Sequence, residues 1–296
     1  MKLSIAEIRG NLIALAEDAQ GALHDITPAV GGAFALSQMG LIPFIRQGAA
    51  TWVQLERDLQ RQGSPISPDQ LADARPLPPV IWPTKVVCVG QNYADHCREQ
   101  NVTPPETPVI FSKFPQSIIG PGDSIIYPVV TRRLDYEVEL AVIIGRKARH
   151  VKATEAMDYV FGYSIGNDIT ARDIQKRDGQ WIRAKGCDTF CPLGPCIRTA
   201  ASLPDVSNLR LRSFVNGQPR QDSTTAQMIF SIPFLIEWCS AAFTLHPGDV
   251  ILTGTPPGVG AYMNPPGLLQ PGDVVRVEIE SIGSMENNVV AESAQA

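Results

Sequence analysis

The chain has 296 residues, of which 44% are hydrophobic and 19% charged, a globular composition that excludes a largely disordered protein. A net charge of -5 and the absence of any run of Lys or Arg argue against nucleic acid or an anionic membrane surface as a partner. No apolar stretch is long enough to span a bilayer, and the acidic amino-terminal segment is unlike a signal or transit peptide. We therefore expect a folded, cytoplasmic protein without membrane contact.

Residues 1–78 are predicted to form a small leading domain. A helical stretch is expected near 49–62, because its apolar side chains recur with the spacing of one helix face. Those side chains are Trp52, Val53, Leu55 and Leu59.

A proline-rich segment, 74–85, follows this leading domain. Its repeated prolines rule out regular helix and favour extended chain, so it is the best candidate for a domain boundary. The main domain would then span 79–290, and 291–296 would be a frayed tail.

The main domain alternates short β-branched runs with Gly and Pro, and few of its segments have helical periodicity. The clearest helix is predicted over 225–242. We therefore expect an α+β fold that is mostly β, with one or two long helices.

Six cysteines are distributed without the density of a disulfide framework. Cys187, Cys191 and Cys196 have the spacing C-x3-C-x4-C, which matches no common zinc pattern, and no histidine lies near them. We expect reduced thiols that behave as small buried hydrophobic side chains.

An acidic strand is predicted at Leu134–Gly145, LDYEVELAVIIG. Strand alternation would place Asp135, Glu137 and Glu139 on one face, which continues into apolar residues without any neutralising Lys or Arg. Like charges in a partly dry site must take up protons or bind a cation. The alternative is a solvated strand edge with ordinary surface carboxylates, since short acidic alternations are common.

Asp168 supplies a third acid at the end of another apolar run, YSIGND. Carboxylate oxygens without His or Cys beside them favour Mg²⁺ or Mn²⁺, with Ca²⁺ as a further candidate, over Zn²⁺. Just beyond it, Arg172 could bind a substrate carboxylate and Lys185 could stabilise an enolate oxygen. Because this segment is polar and mixed in sign, a surface turn is the alternative for both.

Two further sites carry candidate chemistry. His96 and Glu99 are three residues apart, so on a helical turn the carboxylate would orient the imidazole for proton transfer, although an exposed histidine on a turn is the commoner arrangement. The hydroxyl of Thr255, with the amides of its Gly/Pro-rich turn, could hold a carboxylate. No dinucleotide or P-loop phosphate motif is present.

Taken together, these segments resemble the fumarylacetoacetate hydrolase (FAH) superfamily. The resemblance covers 85–290 and is carried, in family order, by KVVCVGQNYADHCREQN, PVIFSKFPQSIIGPGD, LDYEVELAVIIG, NDITARDIQ, DTFCPLGP and GDVILTGTPPGVG. Within the superfamily the chain is most similar to FAH-domain proteins of the oxaloacetate tautomerase type, through DHCREQN, IFSKF, DTFCPLGP and TPPGVG.

This resemblance implies an FAH-type mixed β-roll behind a small N-terminal domain, a homodimer, and Mg²⁺ or Mn²⁺ as cofactor. It implies metal ligands at Glu137, Glu139 and Asp168, and a lysine beside the metal at Lys185. The remaining implied roles are substrate contacts at Arg172, Gln175 and Thr255, and a proton-carrying pair on a mobile lid at His96 and Glu99.

The implied substrate is a small 2-oxo or β-dicarbonyl acid that reacts through a metal-bound enolate. Keto-enol tautomerisation of oxaloacetate or a similar acid is the favoured reaction. Hydrolysis of a C–C bond in an acylpyruvate and decarboxylation share this intermediate and stay open. A non-catalytic scaffold and a calcium-binding structural module are the alternatives from other classes.

Overall fold

The computed structural model describes residues 1–61 and 65–293. Its strands are β1 (Lys2–Ile8), β2 (Asn11–Glu17), β3 (Leu23–Asp25), β4 (Arg75–Leu77), β5 (Val86–Gly90), β6 (Val109–Lys113), β7 (Ile118–Ile119), β8 (Ile125–Tyr127), β9 (Leu134–Asp135), β10 (Val138–Ile144), β11 (Val160–Asn167), β12 (Thr170–Ala171), β13 (Cys191–Thr199), β14 (Arg210–Val215), β15 (Gln218–Thr224), β16 (Val250–Leu252), β17 (Val274–Ile279) and β18 (Gly283–Ala291). Its α-helices are α1 (Gly32–Met39), α2 (Ile42–Arg46), α3 (Ala49–Arg61), α4 (Pro68–Leu71), α5 (Ala94–Gln100), α6 (Arg172–Asp178), α7 (Ile182–Lys185) and α8 (Ile232–Ala242).

The strands form two main sheets. The larger has the order β3-β2-β1-β13-β11-β10-β16-β5-β6, with β4 paired to β1 and β7 to β13; the smaller has the order β15-β14-β17-β18-β8. Most neighbours are antiparallel, but β16 pairs with β5, β13 with β7 and β18 with β8 in parallel. This mixed architecture with short helices confirms the predicted α+β fold.

Strand β10 lies at the centre of the large sheet and is buried along its whole length. Leu140, Val142 and Ile144 on one face pack into one hydrophobic cluster, while Ala141 and Ile143 on the other face pack into a second. A strand covered on both faces is uniformly apolar, except where a polar side chain has a specific partner. The acidic residues at the start of β10 therefore enter a protein interior.

The leading region joins the same sheet as the main domain. Strand β1 pairs with β13, with Leu3 opposite Ile197. The predicted helix is confirmed as α3, although Val53 is exposed rather than packed against the core; Gln62 lies outside the described residues. The proline-rich segment contains no helix, as predicted, and includes the short strand β4, but it is not extended throughout, since Trp82 has a left-handed φ of 51°. The domain boundary near 78 stays a prediction, as does the frayed tail, whose residues 294–296 lie outside the described part of the chain.

Two predicted elements differ in the structure. The helix expected over 225–242 begins only at Ile232, because Pro233 lies in its first turn, where proline is favoured and the preceding chain is turned away from helix. The acidic strand is interrupted at Tyr136 and Glu137, so that β9 and β10 are separate. No helix in the described ranges is sufficiently long and apolar to cross a membrane.

Candidate metal centre and active site

Three buried carboxylates converge where β10 begins and β11 ends. Glu137, Glu139 and Asp168 each offer one oxygen, and these oxygens lie within 4.8 Å of one another. Antiparallel pairing brings them together: Glu139 lies opposite Gly166, and the amide of Asp168 donates to the carbonyl oxygen of Glu137 at 2.8 Å. The structure thus groups the three residues predicted as metal ligands.

The charges in this group are unequally compensated. Burial raises the pKa of Glu137, but the positive charges of Lys185 and Arg172 outweigh it and hold that pKa at about 2. The pKa of Glu139 is raised well above its ordinary value by burial and by the charges of Asp168 and Glu137. Its carboxylate accepts the amide of Gly254 at 2.8 Å, and within the described ranges it forms no ion pair. A cluster of hard oxygen donors with an uncompensated buried charge fits a divalent cation.

Lys185 is buried beside two of these carboxylates. Its Nζ lies 2.9 Å from Oε2 of Glu137, 2.6 Å from Oδ2 of Asp168 and 2.8 Å from the hydroxyl of Thr170. Burial lowers the pKa of Lys185, but the charges of Asp168 and Glu137 raise it by more. The net pKa lies above the ordinary value for lysine, so the ammonium is retained. The lysine therefore stabilises negative charge at the edge of the carboxylate group.

Lys113 is a second buried lysine at this site and was not predicted. Its side chain is fully buried, and its Nζ contacts Oδ1 of Asp168 and donates to the carbonyl oxygen of Ile169 at 3.1 Å. The sequence signal was a lysine inside the apolar strand segment IFSKF, since a lysine is rarely fully buried without a partner. Asp168 is thus held by a lysine on each oxygen.

Arg172 is committed to protein groups on all three nitrogens. Its Nε donates to Asp135 at 2.8 Å, one terminal nitrogen forms an ion pair with Glu137 at 2.6 Å, and the other donates to Oε1 of Gln175 at 3.1 Å. The arginine therefore holds the carboxylate of Glu137, one of the three grouped carboxylates. The side-chain amide nitrogen of Gln175 has no hydrogen bond among the described residues.

Asp135 was predicted to share a strand face with Glu137 and Glu139, but the strand is broken and Asp135 lies apart from the three grouped carboxylates. The break after β9 turns its carboxylate toward Arg172 and toward the amides of Gly260 and Ala261, at 2.7 and 3.0 Å. Its side chain is fully buried. Asp135 therefore binds residues around the site rather than facing the three grouped carboxylates.

Thr255 lines the cavity with its hydroxyl already bonded. The hydroxyl donates to the carbonyl oxygen of Val138 at 2.9 Å and accepts from the side-chain amide of Gln221 at 2.7 Å. Gln221, a buried residue of β15, was not predicted because nothing local marks it. One lone pair of the Thr255 oxygen is left for a ligand.

His96 and Glu99 form a pair on α5, directly after β5. Nδ1 of His96 lies 2.8 Å from Oε2 of Glu99, while Oε1 of Glu99 accepts the amide of Gly258 at 2.7 Å. A carboxylate on Nδ1 favours the tautomer with hydrogen on that nitrogen and leaves a lone pair on Nε2. The amide of Gln100 lies 2.5 Å from Nε2 and would donate to it.

One cavity of about 1090 Å³ joins these groups. Asp168 and Glu99 lie behind its wall and hold the residues that line it. Its wall also includes the cations Arg133, Lys176 and Arg177 and the aromatic residues Phe111, Trp181 and Tyr262. The lining side chains predicted from sequence are His96, Glu137, Glu139, Arg172, Gln175, Lys185 and Thr255.

The residues predicted to have no catalytic role lie elsewhere. All six cysteines are free, and Cys187 is the only one of them with partial exposure. His24 contacts Asp18, with 2.8 Å between Nε2 and the carboxylate, and His150 is exposed.

Sequence comparison identifies relatives over most of the chain. A family model described as fumarylacetoacetate (FAA) hydrolase C-terminal matches residues 85–290. The oxaloacetate tautomerase FAHD2B, mitochondrial, of Homo sapiens is 50% identical over 249 residues, which cover 83% of this chain and 78% of that protein. The bovine oxaloacetate tautomerase FAHD2A, mitochondrial, is 50% identical over 252 residues, 84% of this chain and 79% of the relative.

Solved structures show the same fold. A fumarylacetoacetate hydrolase from Exiguobacterium antarcticum superposes with a TM-score of 0.85 at 39% identity, covering 99% of this chain and 100% of that chain. A maleylpyruvate hydrolase from Sphingobium sp. SYK-6, in complex with manganese(II) and pyruvate, superposes with a TM-score of 0.80 at 30% identity, with 99% and 100% coverage.

Proposed function

The chain belongs to the fumarylacetoacetate hydrolase family, and from this premise we propose that it is a divalent-metal-dependent tautomerase of oxaloacetate or a similar small 2-oxo acid. The observation that carries the proposal is the shared cavity, which presents the carboxylates of Glu137 and Glu139 together with the imidazole of His96. Relatives named oxaloacetate tautomerases at 50% identity support the choice of reaction.

Glu137, Glu139 and Asp168 are the proposed metal ligands, and Mg²⁺ or Mn²⁺ the proposed metal. Oxygen-only donors favour these hard cations, with Ca²⁺ as a weaker candidate. The manganese-containing structure of the Sphingobium hydrolase supports a divalent metal in a chain of this fold. When bound, the cation would withdraw electron density from the substrate's keto group and favour loss of a proton from the adjacent carbon.

The imidazole of His96 is the proposed proton carrier. Tautomerisation moves one proton between the oxygen on C2 and the carbon C3, so the substrate's composition does not change. The lone pair of Nε2 accepts the proton from one of these atoms and the imidazolium returns it to the other, while the Nδ1 hydrogen bond to Glu99 stabilises the imidazolium between the two transfers. Gln100, which covers Nε2 at 2.5 Å, must move aside for the substrate to reach it.

Substrate anions require partners among the remaining cavity groups. Lys185 stabilises negative charge beside the metal ligands, and the side-chain amide of Gln175 can donate a hydrogen bond to a substrate anion. The hydroxyl of Thr255 donates its proton to Val138, so towards substrate it can only accept a hydrogen bond from an O–H group. Arg133 and Lys176 line the same cavity and form no ion pair within the described ranges. We assign these two exposed cations to the distal carboxylate of a dicarboxylic acid, because the other cationic groups nearby are committed to protein carboxylates.

Hydrolysis of an acylpyruvate is the second candidate. Typical ligand pockets hold roughly 300–1000 Å³, and the cavity of about 1090 Å³ is larger than a four-carbon acid needs. Phe111 and Trp181, whose ring centroids are 5.2 Å apart, provide an apolar wall for an acyl tail. The similar maleylpyruvate hydrolase structure supports this alternative.

An assembly and a cellular location complete the proposal. A homodimer follows from the family resemblance. A cytoplasmic location stays a prediction, since the relatives named above are mitochondrial proteins.

An absorbance assay at the enol band of oxaloacetate tests the proposal, with Mg²⁺, with Mn²⁺ or with excess chelator, beside the same assay on an acylpyruvate. Metal-dependent decay of the enol without loss of total oxaloacetate would support the tautomerase. Cleavage of the acylpyruvate alone, with pyruvate released, would replace it with the hydrolase. Release of CO₂ from oxaloacetate would instead indicate a decarboxylase.

A further inference from the structure

The turn formed by residues 258–261, here named the anchor loop, is held by two carboxylates. Glu99 accepts the amide of Gly258 at 2.7 Å. Asp135 accepts the amides of Gly260 and Ala261 at 2.7 and 3.0 Å. Backbone donors on one turn therefore connect two acids that are 36 residues apart in the sequence, as their numbers show.

Each of these acids also binds a charged or titratable group that lines the cavity. Glu99 uses its other oxygen to contact Nδ1 of His96 at 2.8 Å. Asp135 uses Oδ2 to accept Nε of Arg172 at 2.8 Å, and Arg172 in turn contacts Glu137 at 2.6 Å. The anchor loop thus lies between the proton-carrying pair and a metal-ligand candidate.

The anchor loop has little freedom to relax. A Cβ at Gly260 would lie 2.7 Å from Oδ1 of Asp135 and 2.4 Å from the carbonyl oxygen of Gly267, so the backbone approaches both more closely than any side chain would allow. The hydroxyl of Tyr136 donates to the carbonyl oxygen of Gly258 at 3.0 Å. Because the loop is packed at both ends, a displacement of Asp135 must be transmitted to its neighbours rather than absorbed.

Asp135 is not a member of the carboxylate group, which among the described residues consists of Glu137, Glu139 and Asp168. Its side chain is fully buried, and its hydrogen bonds are to Arg172, to the anchor loop and to the amide of Tyr136 at 3.0 Å. A buried carboxylate that offsets part of the charge of Arg172 also fixes the orientation of the guanidinium, because that group is rigid and planar and a hydrogen bond at Nε limits where its terminal nitrogens can lie.

We propose that Asp135 is a positioning residue, which holds Glu137 in the carboxylate group through Arg172 and holds the Glu99–His96 pair through the anchor loop. Its predicted effect on turnover rests on the proposed function, whereas its effect on metal binding does not. Groups that orient metal ligands are often worth about 10- to 100-fold in metal affinity or activity.

The experiment is a calorimetric titration of the full-length, metal-free protein with Mn²⁺ alone, comparing the wild type with Asp135→Asn. We expect the dissociation constant to rise by about 10- to 100-fold. Asp249→Asn is the matched control, because Asp249 is also fully buried and bound to backbone amides and a lysine, Lys85, but among the described residues its side chain bonds to none that lines the cavity. Its Mn²⁺ affinity should equal that of the wild type.

Thermal unfolding of each variant verifies that it is folded before titration. If Asp135→Asn does not fold, Asp135→Glu keeps the charge while shifting the carboxylate by one methylene, and it should weaken Mn²⁺ binding by about 10-fold. An unchanged Mn²⁺ affinity in a folded Asp135 variant, or an equal loss in Asp249→Asn, would overturn the proposal.

A double-variant comparison tests the route through Arg172. If Asp135 acts on Glu137 through the guanidinium, Asp135→Asn should add less than 3-fold to the loss caused by Arg172→Met; full additivity would overturn that route. A wild type that binds Mn²⁺ but has no enol activity would reject the proposed function alone, because the Mn²⁺ titration uses no substrate.

Discussion

The imidazole of His96 and the carboxylate of Glu99 are joined across a single turn of α5, with 2.8 Å between Nδ1 and Oε2. Because the two residues are three apart on one helix, their contact needs no long-range packing. Their placement over the cavity does: Asp95, on the same helix, contacts the hydroxyl of Ser223, and the side chain of Asn92, just before it, bridges the carbonyl oxygens of Phe230 and Thr253. The spacing along α5 thus brings His96 and Glu99 together, whereas tertiary contacts orient the helix so that His96 faces the cavity.

Replacing His96 with Gln should remove proton transfer while leaving the metal group intact. A general acid–base group typically contributes about 10²- to 10⁴-fold, so we expect kcat for the enol reaction to fall within that range. Mn²⁺ affinity should be unchanged, since His96 is absent from the carboxylate group. The exposed His150→Gln is the control. A variant that retains wild-type kcat would exclude His96 as the proton carrier.

Lys113 should contribute strongly to stability, because it pairs with Asp168 where both side chains are fully buried. Lys113→Met leaves Asp168 with one cationic partner, and breaking a buried pair typically costs about 3–5 kcal/mol. Urea denaturation of the metal-free protein measures this cost. Lys152→Met is the control, because Lys152 is 78% exposed and pairs with Glu237 at 3.7 Å. The free energy of unfolding of this variant should differ from that of the wild type by less than about 1 kcal/mol. Equal losses in the two variants would contradict the prediction.

Arg133 and Lys176 should affect dicarboxylic substrates selectively. Arg133→Gln and Lys176→Met are expected to raise KM for oxaloacetate by about 3- to 10-fold each, which corresponds to the modest free energy of an exposed charge pair. KM for a 2-oxo monocarboxylate should not change, and the effect on oxaloacetate should shrink at high salt. An equal rise in KM for both substrates would assign these cations a different role.

How far the site could be predicted depended on the distance along the chain between its partners. Carboxylates beside apolar runs are a local signal that made Glu137, Glu139 and Asp168 candidate metal ligands, and the family resemblance then favoured that role over a solvated strand edge. Lys113 reaches Asp168 across 55 residues and Gln221 reaches Thr255 across 34, so both contacts depend on strand register. The periodicity within one strand indicates which of its faces is buried, but not which distant residue will lie against it.

Asp135 illustrates a different limit. Two-residue alternation placed it beside Glu137 and Glu139 on one face, but the chain bends between β9 and β10. The bend follows from partners that arrive later in the sequence, the Arg172 guanidinium and the amides of the anchor loop. The fold class was easier to predict, because many short β-branched runs indicate it together.

Glu139 should make the metal-free protein less stable as the pH rises. Burial and the charges of Asp168 and Glu137 raise its pKa well above the ordinary value of 4.5 that it has in the unfolded chain. The folded state therefore binds this proton more tightly, and stability declines as the pH rises from 4.5 through the folded pKa. Glu137 has the opposite sign, but its pKa of about 2 confines its effect to pH values below 4.5.

Glu139→Gln removes this titration and isolates its contribution. In the presence of chelator, the free energy of unfolding of the variant relative to wild type should increase with pH above 4.5. Added Mn²⁺ should reverse the order, because a cation bound to the folded state at 100 times its dissociation constant stabilises by about 2.7 kcal/mol, and the variant lacks one ligand. Urea denaturation across pH, with and without Mn²⁺, measures both effects. If the free energies of unfolding of the two proteins depend on pH in parallel, the pKa of Glu139 is not raised by folding. If Mn²⁺ stabilises both proteins to the same extent, the cation binds elsewhere.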